Sequence, residues 1–170
     1  MPPLSKLTTK AREALRRAHE LAIERGQNHV NPLHLLAALV LQEESIVTSI
    51  LDKLQVDTIL LTDSLLEAIE GTESGQTLSA SYQIYLTPEL AQAIEASGKQ
   101  TSLLNDEFVS TEHLFLALLD VPSPAKDLLI KFYLCVYFKM ISVFVILYKY
   151  CTLLPHRENV RRLSVKILVK

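Results

Sequence analysis

A chain of 170 residues is long enough for one domain with its own core, or for two small subdomains. Apolar residues make up 49% and charged residues 21%, as in ordinary soluble globular proteins; four glycines, seven prolines and no tryptophan point to helices joined by short turns rather than a β-sandwich. The net charge of −2 averages two unlike stretches: residues 1–131 carry ten Lys/Arg against eighteen Asp/Glu, a balance of −8, whereas 132–170 carry seven against Glu158 alone, a balance of +6. The acidic stretch argues against a nucleic-acid surface, which needs clustered basic charge. The opening Met-Pro-Pro-Leu-Ser-Lys lacks the apolar core of a secretory signal, so the expectation is a cytoplasmic protein. Cys135 and Cys151 have neither metal-ligand spacing nor Cys/His partners.

Thr8 is placed to cap a first helix carrying Ala11, Ala14, Leu15, Ala18, Leu21 and Ala22 on one apolar stripe, with Arg12, Arg16, His19 and Glu20 outside. Gly26 follows as a stop, because glycine takes the left-handed conformation that ends helices. Asn31-Pro32 opens a second helix with the dense apolar face Leu33, Leu35, Leu36 and Leu39. A third helix is predicted over Ser45–Leu54. A fourth runs from an Asp57 cap through Leu65, Leu66 and Ile69 to Gly71. Gly71 to Tyr85, rich in Gly, Ser, Thr and Gln, reads as a surface linker.

After the linker the pattern starts again. Thr87-Pro88-Glu89 supplies a cap, a proline and an acid toward the helix dipole. Ser110-Thr111-Glu112 opens the next helix into Leu114, Phe115 and Leu118, and Pro124–Tyr133 follows. Sliding the chain by 79 positions aligns it with itself without a gap. Leu7-Thr8 falls on Leu86-Thr87, Val30 on Val109, His34-Leu35 on His113-Leu114, and Ala38-Leu39 on Ala117-Leu118. The match extends over about forty-five residues, an internal repeat. The second copy should have a fourth helix near 137–149, where the atypical tail stands instead.

Catalytic constellations are missing from the sequence. Gly98-Lys99 is followed by Gln100, and the position five residues before Gly98 is Ala93, so the glycine and hydroxyl of a phosphate-binding loop are lacking. There is no HExxH, GxSxG or CxxC, and neither a metal site nor a cofactor is expected. His34 and His113 occupy equivalent positions one turn into the second helix of each copy; without Cys, His or paired acids on the same face, each reads as a helix-start residue packing one ring edge inward. Lys10, Arg12, Arg16 and Arg17, interspersed with Glu13, Glu20 and Glu24, read as a solvated helix face.

Leu-Thr-Thr-Lys-Ala-Arg-Glu-Ala-Leu at 7–15, followed by Asn31-Pro32-Leu33-His34-Leu35-Leu36-Ala37-Ala38-Leu39, resembles the Clp N-terminal (Clp repeat) domain of ClpB/ClpC-type AAA+ chaperones. Ser110-Thr111-Glu112-His113-Leu114 carries the same family's signature, and the resemblance covers about residues 4–131. Pro-Leu-His-Leu-Leu in the first copy looks closer to the ClpB branch than to the ClpC branch. The resemblance implies an all-α, pseudo-twofold tandem repeat of two four-helix units, the last helix of repeat 2 replaced by the tail. It implies a non-catalytic domain that caps a hexameric ATPase ring and binds unfolded or aggregated polypeptide, with adaptor proteins and Clp ATPase subunits as further partners. Thr8, Asp106 and Glu112 fall on the family's substrate-handling positions; each also makes sense as a helix-start or loop residue.

The expected organisation is a double-repeat domain over 1–131, with repeat 1 at about 7–70, a linker at 71–85 and repeat 2 at about 86–131, followed by the tail 132–170. Because the family pattern stops after Lys131 and no ATPase module follows, the sequence reads as a truncated form without ATPase activity. Phe132–Leu154 has the length of a bilayer span, but Lys139 and Lys149 leave only Met140–Tyr148 uninterrupted, which disfavours a membrane anchor. The tail reads as a frameshift or read-through product, a packed helix or an anchor, in that order. The alternatives to substrate docking are a free-standing, adaptor-binding regulator of a Clp machine and a membrane-tethered interaction protein; a helix-turn-helix DNA binder is disfavoured by the −8 balance.

Overall fold

Side-chain caps decide where the helices begin. The computed structural model describes residues 4–43, 45–71 and 84–132. After a short 3₁₀ turn at Leu4–Lys6, the helices are α1 Thr9–Glu24, α2 Pro32–Val40, α3 Ile46–Lys53, α4 Thr58–Gly71, α5 Pro88–Leu103, α6 Thr111–Asp120 and α7 Pro124–Lys131. Two strands of two residues each, β1 His29–Val30 and β2 Tyr85–Leu86, complete the described elements. Thr8 accepts the Ala11 amide at 3.2 Å and Thr87 the Leu90 amide at 3.4 Å. Asp57 accepts both Ile59 and Leu60 amides at 3.0 Å, and Ser45 and Ser123 cap α3 and α7. Each contact satisfies amides that the first helical turn leaves without an internal partner.

The 79-residue offset survives in three dimensions. α1 and α5 are both 16 residues long and start at Thr9 and Pro88. Both end in the same way: Gly26 at φ 67° and Asn105 at φ 53° take the left-handed conformation. The next amide, of Gln27 or Asp106, then turns back to Ala22 or Thr101 at 2.9 and 2.8 Å. This is a Schellman-type stop, with asparagine standing in for glycine in the second copy.

The repeats are laced together by exchange. Leu7 bridges Val109 in parallel, with the Thr8 amide donating to the Val109 carbonyl at 2.9 Å and the Val109 amide to Lys6 at 2.8 Å. The counterpart joins β1 to β2, where the Thr87 amide donates to the Val30 carbonyl at 2.9 Å and the Tyr85 amide to Asn28 at 3.0 Å. Thus the segment leading into the first helix of each repeat pairs with the segment leading into the second helix of the other. Tyr85, read from sequence as the end of the linker, belongs to this pairing, because two backbone hydrogen bonds leave no periodic trace in side-chain pattern.

α2 and α6 form the centre. All nine residues of α2 are buried, as are Thr111 and His113–Leu119 of α6, so both helices are apolar nearly all round and need cover on every side. α1, α3 and α4 pack on α2 and α5 and α7 on α6, but α3 also packs on α6 and α7 on α2. Leu33, Leu35, Leu36, Leu39, Leu114, Phe115 and Leu116 lie in one shared core, each side chain worth roughly 1.5–3 kcal/mol when removed from water. The fold is all-α. The fourth helix expected near 137–149, most of the linker and the apolar tail lie outside the described residues; among those described, no helix is long and apolar enough to cross a membrane.

Both equivalent histidines are structural at one nitrogen. His34 Nδ1 accepts the Asn31 amide at 3.2 Å while the Asn31 side chain accepts the His34 amide at 3.3 Å, a reciprocal box at the start of α2. His113 Nδ1 accepts the Ser110 amide at 3.1 Å at the start of α6. An accepting Nδ1 places the ring proton on Nε2. Both rings are fully buried. Burial, aided by the positive charge of Arg25, pushes His34 down to about 4 from an ordinary value near 6.5.

Two predictions follow from these local geometries. Gly26→Ala is expected to lower the free energy of unfolding by about 1–2 kcal/mol, and Gly26→Asn by much less, in urea denaturation; equal losses would show that the left-handed stop is not what selects glycine. For His34, the unfolded chain takes up a proton below about 6.5 and the folded one only near 4, so this group's contribution to stability is full above pH 6.5, declines as pH falls through that window and levels off below about 4. His34→Gln, which keeps an acceptor for the box, is expected to make the decline in Tm from pH 6.5 to 4 shallower; an unchanged slope would remove His34 as its source.

Candidate functional site

The exchange pairing fixes where the helix starts meet. By tying Thr8 to Val109 it sets the first turn of α1 beside the first turn of α6, and the packing of α3 on α6 brings Ile46 to the same place. Thr8, Thr9, Lys10, Ile46, Ser110, Thr111 and Glu112 line a shallow groove of about 430 Å³. Three helices begin on its walls, so their amide ends give it a positive lining suited to peptide carbonyl oxygens. Half-buried Ile46 offers apolar contact. Half-buried Glu112, in the first turn of α6, lines the groove with its acidic side chain.

Asp106 joins the groove through Glu112 and His113. One carboxylate oxygen of each acid and a ring nitrogen of His113 lie within 4.8 Å of one another. His113 Nε2 stands 3.2 Å from Asp106 Oδ2. Burial lowers the His113 pKa and the negative charge of Glu112 offsets this only in part. Two carboxylates and an imidazole at this spacing resemble a cation cage. However, metal ligation needs a bare Nε2, and the Ser110 amide on Nδ1 keeps the proton on Nε2. The set suits hydrogen-bond and charge recognition instead.

The same place in repeat 1 is built differently. The position equivalent to Asp106 is Gln27, whose amide donates to the Ile69 carbonyl at 3.0 Å and so ties down the end of α4. The position equivalent to Glu112 is Leu33, which is buried. Neither His34 Nε2 nor His113 Nε2 has a hydrogen-bond partner among the described residues, but His113 Nε2 stands 3.2 Å from a carboxylate oxygen. Both halves keep the histidine box; only the second adds acids.

The three residues expected from sequence therefore come together: Thr8 and Glu112 on the groove wall, and Asp106 beside Glu112. Thr8 also caps α1 and carries a cross-repeat backbone bond, so it has a structural role of its own. Lys10, Ile46 and His113 were not singled out for docking. Lys10, part of the basic face that reads as solvated, also lines the groove, while on the rest of that face Arg16 pairs with Glu20 and Arg17 with Glu24 at 2.7 Å. Ile46 arrives from another element of the opposite repeat, which no local pattern reveals. The signal for His113 was present in the offset itself, because only that copy has acids at both neighbouring positions.

Residues 6–132 match the family described as the Clp repeat (R) N-terminal domain. The chaperone protein ClpB of Rhodopirellula baltica is 35% identical over 126 residues, covering 74% of this chain but only 14% of that protein. The chain thus spans about one seventh of the length of the curated relative it matches. Among solved structures, the Hsp104 N-terminal domain of Candida albicans superposes with a TM-score of 0.70 at 18% identity, covering 81% of this chain and 89% of that one. A ClpV N-domain in complex with a VipB peptide gives 0.61 at 24% identity, covering 82% and 88%. With the groove, the exchanged repeats and the all-helical core in place, this chain belongs to the Clp repeat N-terminal domain family.

Proposed function

We propose that this domain docks extended polypeptide in the groove formed by the starts of α1, α3 and α6, and presents it to a Clp-type ATPase ring. The observation that carries this reading is the convergence of Thr8, Glu112 and Asp106 on one side of the molecule, around amide-lined walls with an isoleucine among them. Such a surface meets a peptide backbone by hydrogen bonds, an apolar side chain by contact and a Lys or Arg by charge, without demanding one sequence. The binding residues are Thr8, Asp106 and Glu112; the working unit is the double repeat, about 7–70 and 86–131, with the tail dispensable. The ligands are unfolded or aggregated segments, as suits a relative named as a chaperone. An adaptor peptide is the second reading, favoured by the peptide complex of the ClpV N-domain.

The test is the affinity of the chain for a fluorescein-labelled unstructured peptide of leucine, serine and lysine, and for its counterpart with glutamate in place of lysine. Asp106→Asn and Glu112→Gln are each expected to weaken the lysine peptide by about three- to tenfold and to flatten the salt dependence of binding. Tight binding of the glutamate peptide, or indifference to both substitutions, would place docking elsewhere.

A further inference from the structure

We propose that the docking site carries a proton-operated release: protonation of His113 places an imidazolium beside Asp106 and Glu112, cancels one of the two negative charges that hold a cationic peptide segment, and loosens docking as the solution turns acidic. The inference rests on the docking reading above and adds its regulation.

His113 is fully buried, and its Nε2 lies 3.2 Å from Asp106 Oδ2 with no hydrogen bond between the two atoms. A carboxylate oxygen of Glu112 belongs to the same cluster, whose atoms all lie within 4.8 Å of one another. A neutral ring leaves both acids their full charge; a protonated ring forms an ion pair with Asp106 across that gap and weakens the field of the pair. The other ring nitrogen has an acceptor at hand. Ser110 Oγ stands 2.6 Å from Nδ1, and a hydroxyl that donates to a neutral ring can turn to accept from a protonated one. The exchange gives up the 3.1 Å contact of the Ser110 amide with Nδ1. Burial moves the uptake of the proton below the ordinary histidine value of 6.5, and Glu112 opposes burial in part.

The surrounding charges leave this role to His113. On α6 itself Asp120 is exposed at the far end of the helix. α2 carries no charged side chain, only His34. On α3, Asp52 and Lys53 lie at the opposite end from Ile46, which lines the groove. On α5, Glu95 and Lys99 are exposed, and Glu89 lies in the first turn, at the opposite end from Asp106. On α7, Lys126 donates to the Asp120 carbonyl at 2.9 Å, while Asp127 and Lys131 are exposed. α1 brings Lys10 to the groove lining. Two acids against Lys10 give the site a balance of −1, and a proton on His113 brings it to zero. Coupling of this kind is reciprocal: a bound cation opposes the proton, and the proton opposes the cation. Affinity therefore falls as pH drops through the value of His113 in the free domain and levels off below its value in the complex.

Repeat 1 offers a proton no such seat. The positions equivalent to Asp106 and Glu112 are Gln27 and Leu33, and the charge beside His34 is the cation Arg25. Asn31 Oδ1 already accepts the Leu33 and His34 amides, at 3.0 and 3.3 Å. His34 is thus the internal control for a buried histidine at a helix start without acids around it.

The experiment is calorimetric titration of the full chain with the lysine-containing peptide, unlabelled and blocked at both ends so that lysine is its only charge. Kd is expected to rise about fivefold or more from about pH 7.5 to about pH 4.5, most of that rise disappearing in His113→Gln and persisting in His34→Gln. Within the falling range, binding to the wild type should release protons, seen as a heat that changes with the ionisation enthalpy of the buffer. A Kd that ignores pH, an unaltered rise in His113→Gln, or loss of the rise in His34→Gln would overturn the release while leaving peptide docking intact. Indifference of the peptide to Asp106→Asn at about pH 7.5 would instead sink the docking reading. A second measurement needs neither the peptide nor a change in the ring. The His113 imidazole resonances should titrate while the chain is still folded, and Asp106→Asn should move the midpoint down by about half a pH unit or more. A ring that stays neutral until the chain unfolds, or a midpoint unmoved by Asp106→Asn, would also overturn the proposal.

Discussion

The backbone bond between the Thr8 amide and the Val109 carbonyl, with its counterpart between Thr87 and Val30, is the constraint on which the rest of the structure depends. Each of these bonds is individually modest, on the order of 1 kcal/mol net. Their weight lies in placement. They fasten the entry of one helix to the residue just ahead of another helix in the opposite repeat, so the angle between the repeats, the contact of α3 with α6 and the approach of three helix starts are all set together. The groove is a by-product of that fastening, and Thr8 sits in it because Thr8 is the fastening residue.

Much of this was legible from residues alone. The residues at Thr8, Asn31, Ser45, Asp57 and Thr87 announce their helices because hydroxyl, amide and carboxylate side chains compete for free amides at a helix start. Gly26 announces a stop for steric reasons, whereas the same work at Asn105 emerges only from its φ of 53° in the structure. The dense apolar faces of α2 and α6 are visible in the sequence, and the structure sets both helices at the centre. Less was legible about the site. The family resemblance named Thr8, Asp106 and Glu112, but the convergence of α3 on α6 is a tertiary fact with no periodic signature. Strands of two residues carry none either, which is why Tyr85 was assigned to a linker.

Comparison of the two halves separates what the fold requires from what has been added to it. Histidine at the third position of the central helix, a left-handed residue after the first helix and a cap bound across the interface occur twice. Acids around the histidine occur once. Burial lowers the pKa of both rings; Arg25 adds to that effect at His34, whereas Glu112 partly opposes it at His113. One scaffold thus holds two buried imidazoles in fields of opposite sign.

The exchanged pairing has a bearing on ancestry. A unit whose entry segment finds its partner only on a neighbour, and whose third helix covers the neighbour's central helix, is built as half of a symmetric pair. Two separate polypeptides, each a single unit, could satisfy every one of these contacts reciprocally. Fusing them end to end would preserve the assembly while freeing each half to change without the other, and the lone acid pair at Asp106 and Glu112 is the kind of one-sided specialisation that a strictly self-paired ancestor could not have kept to itself.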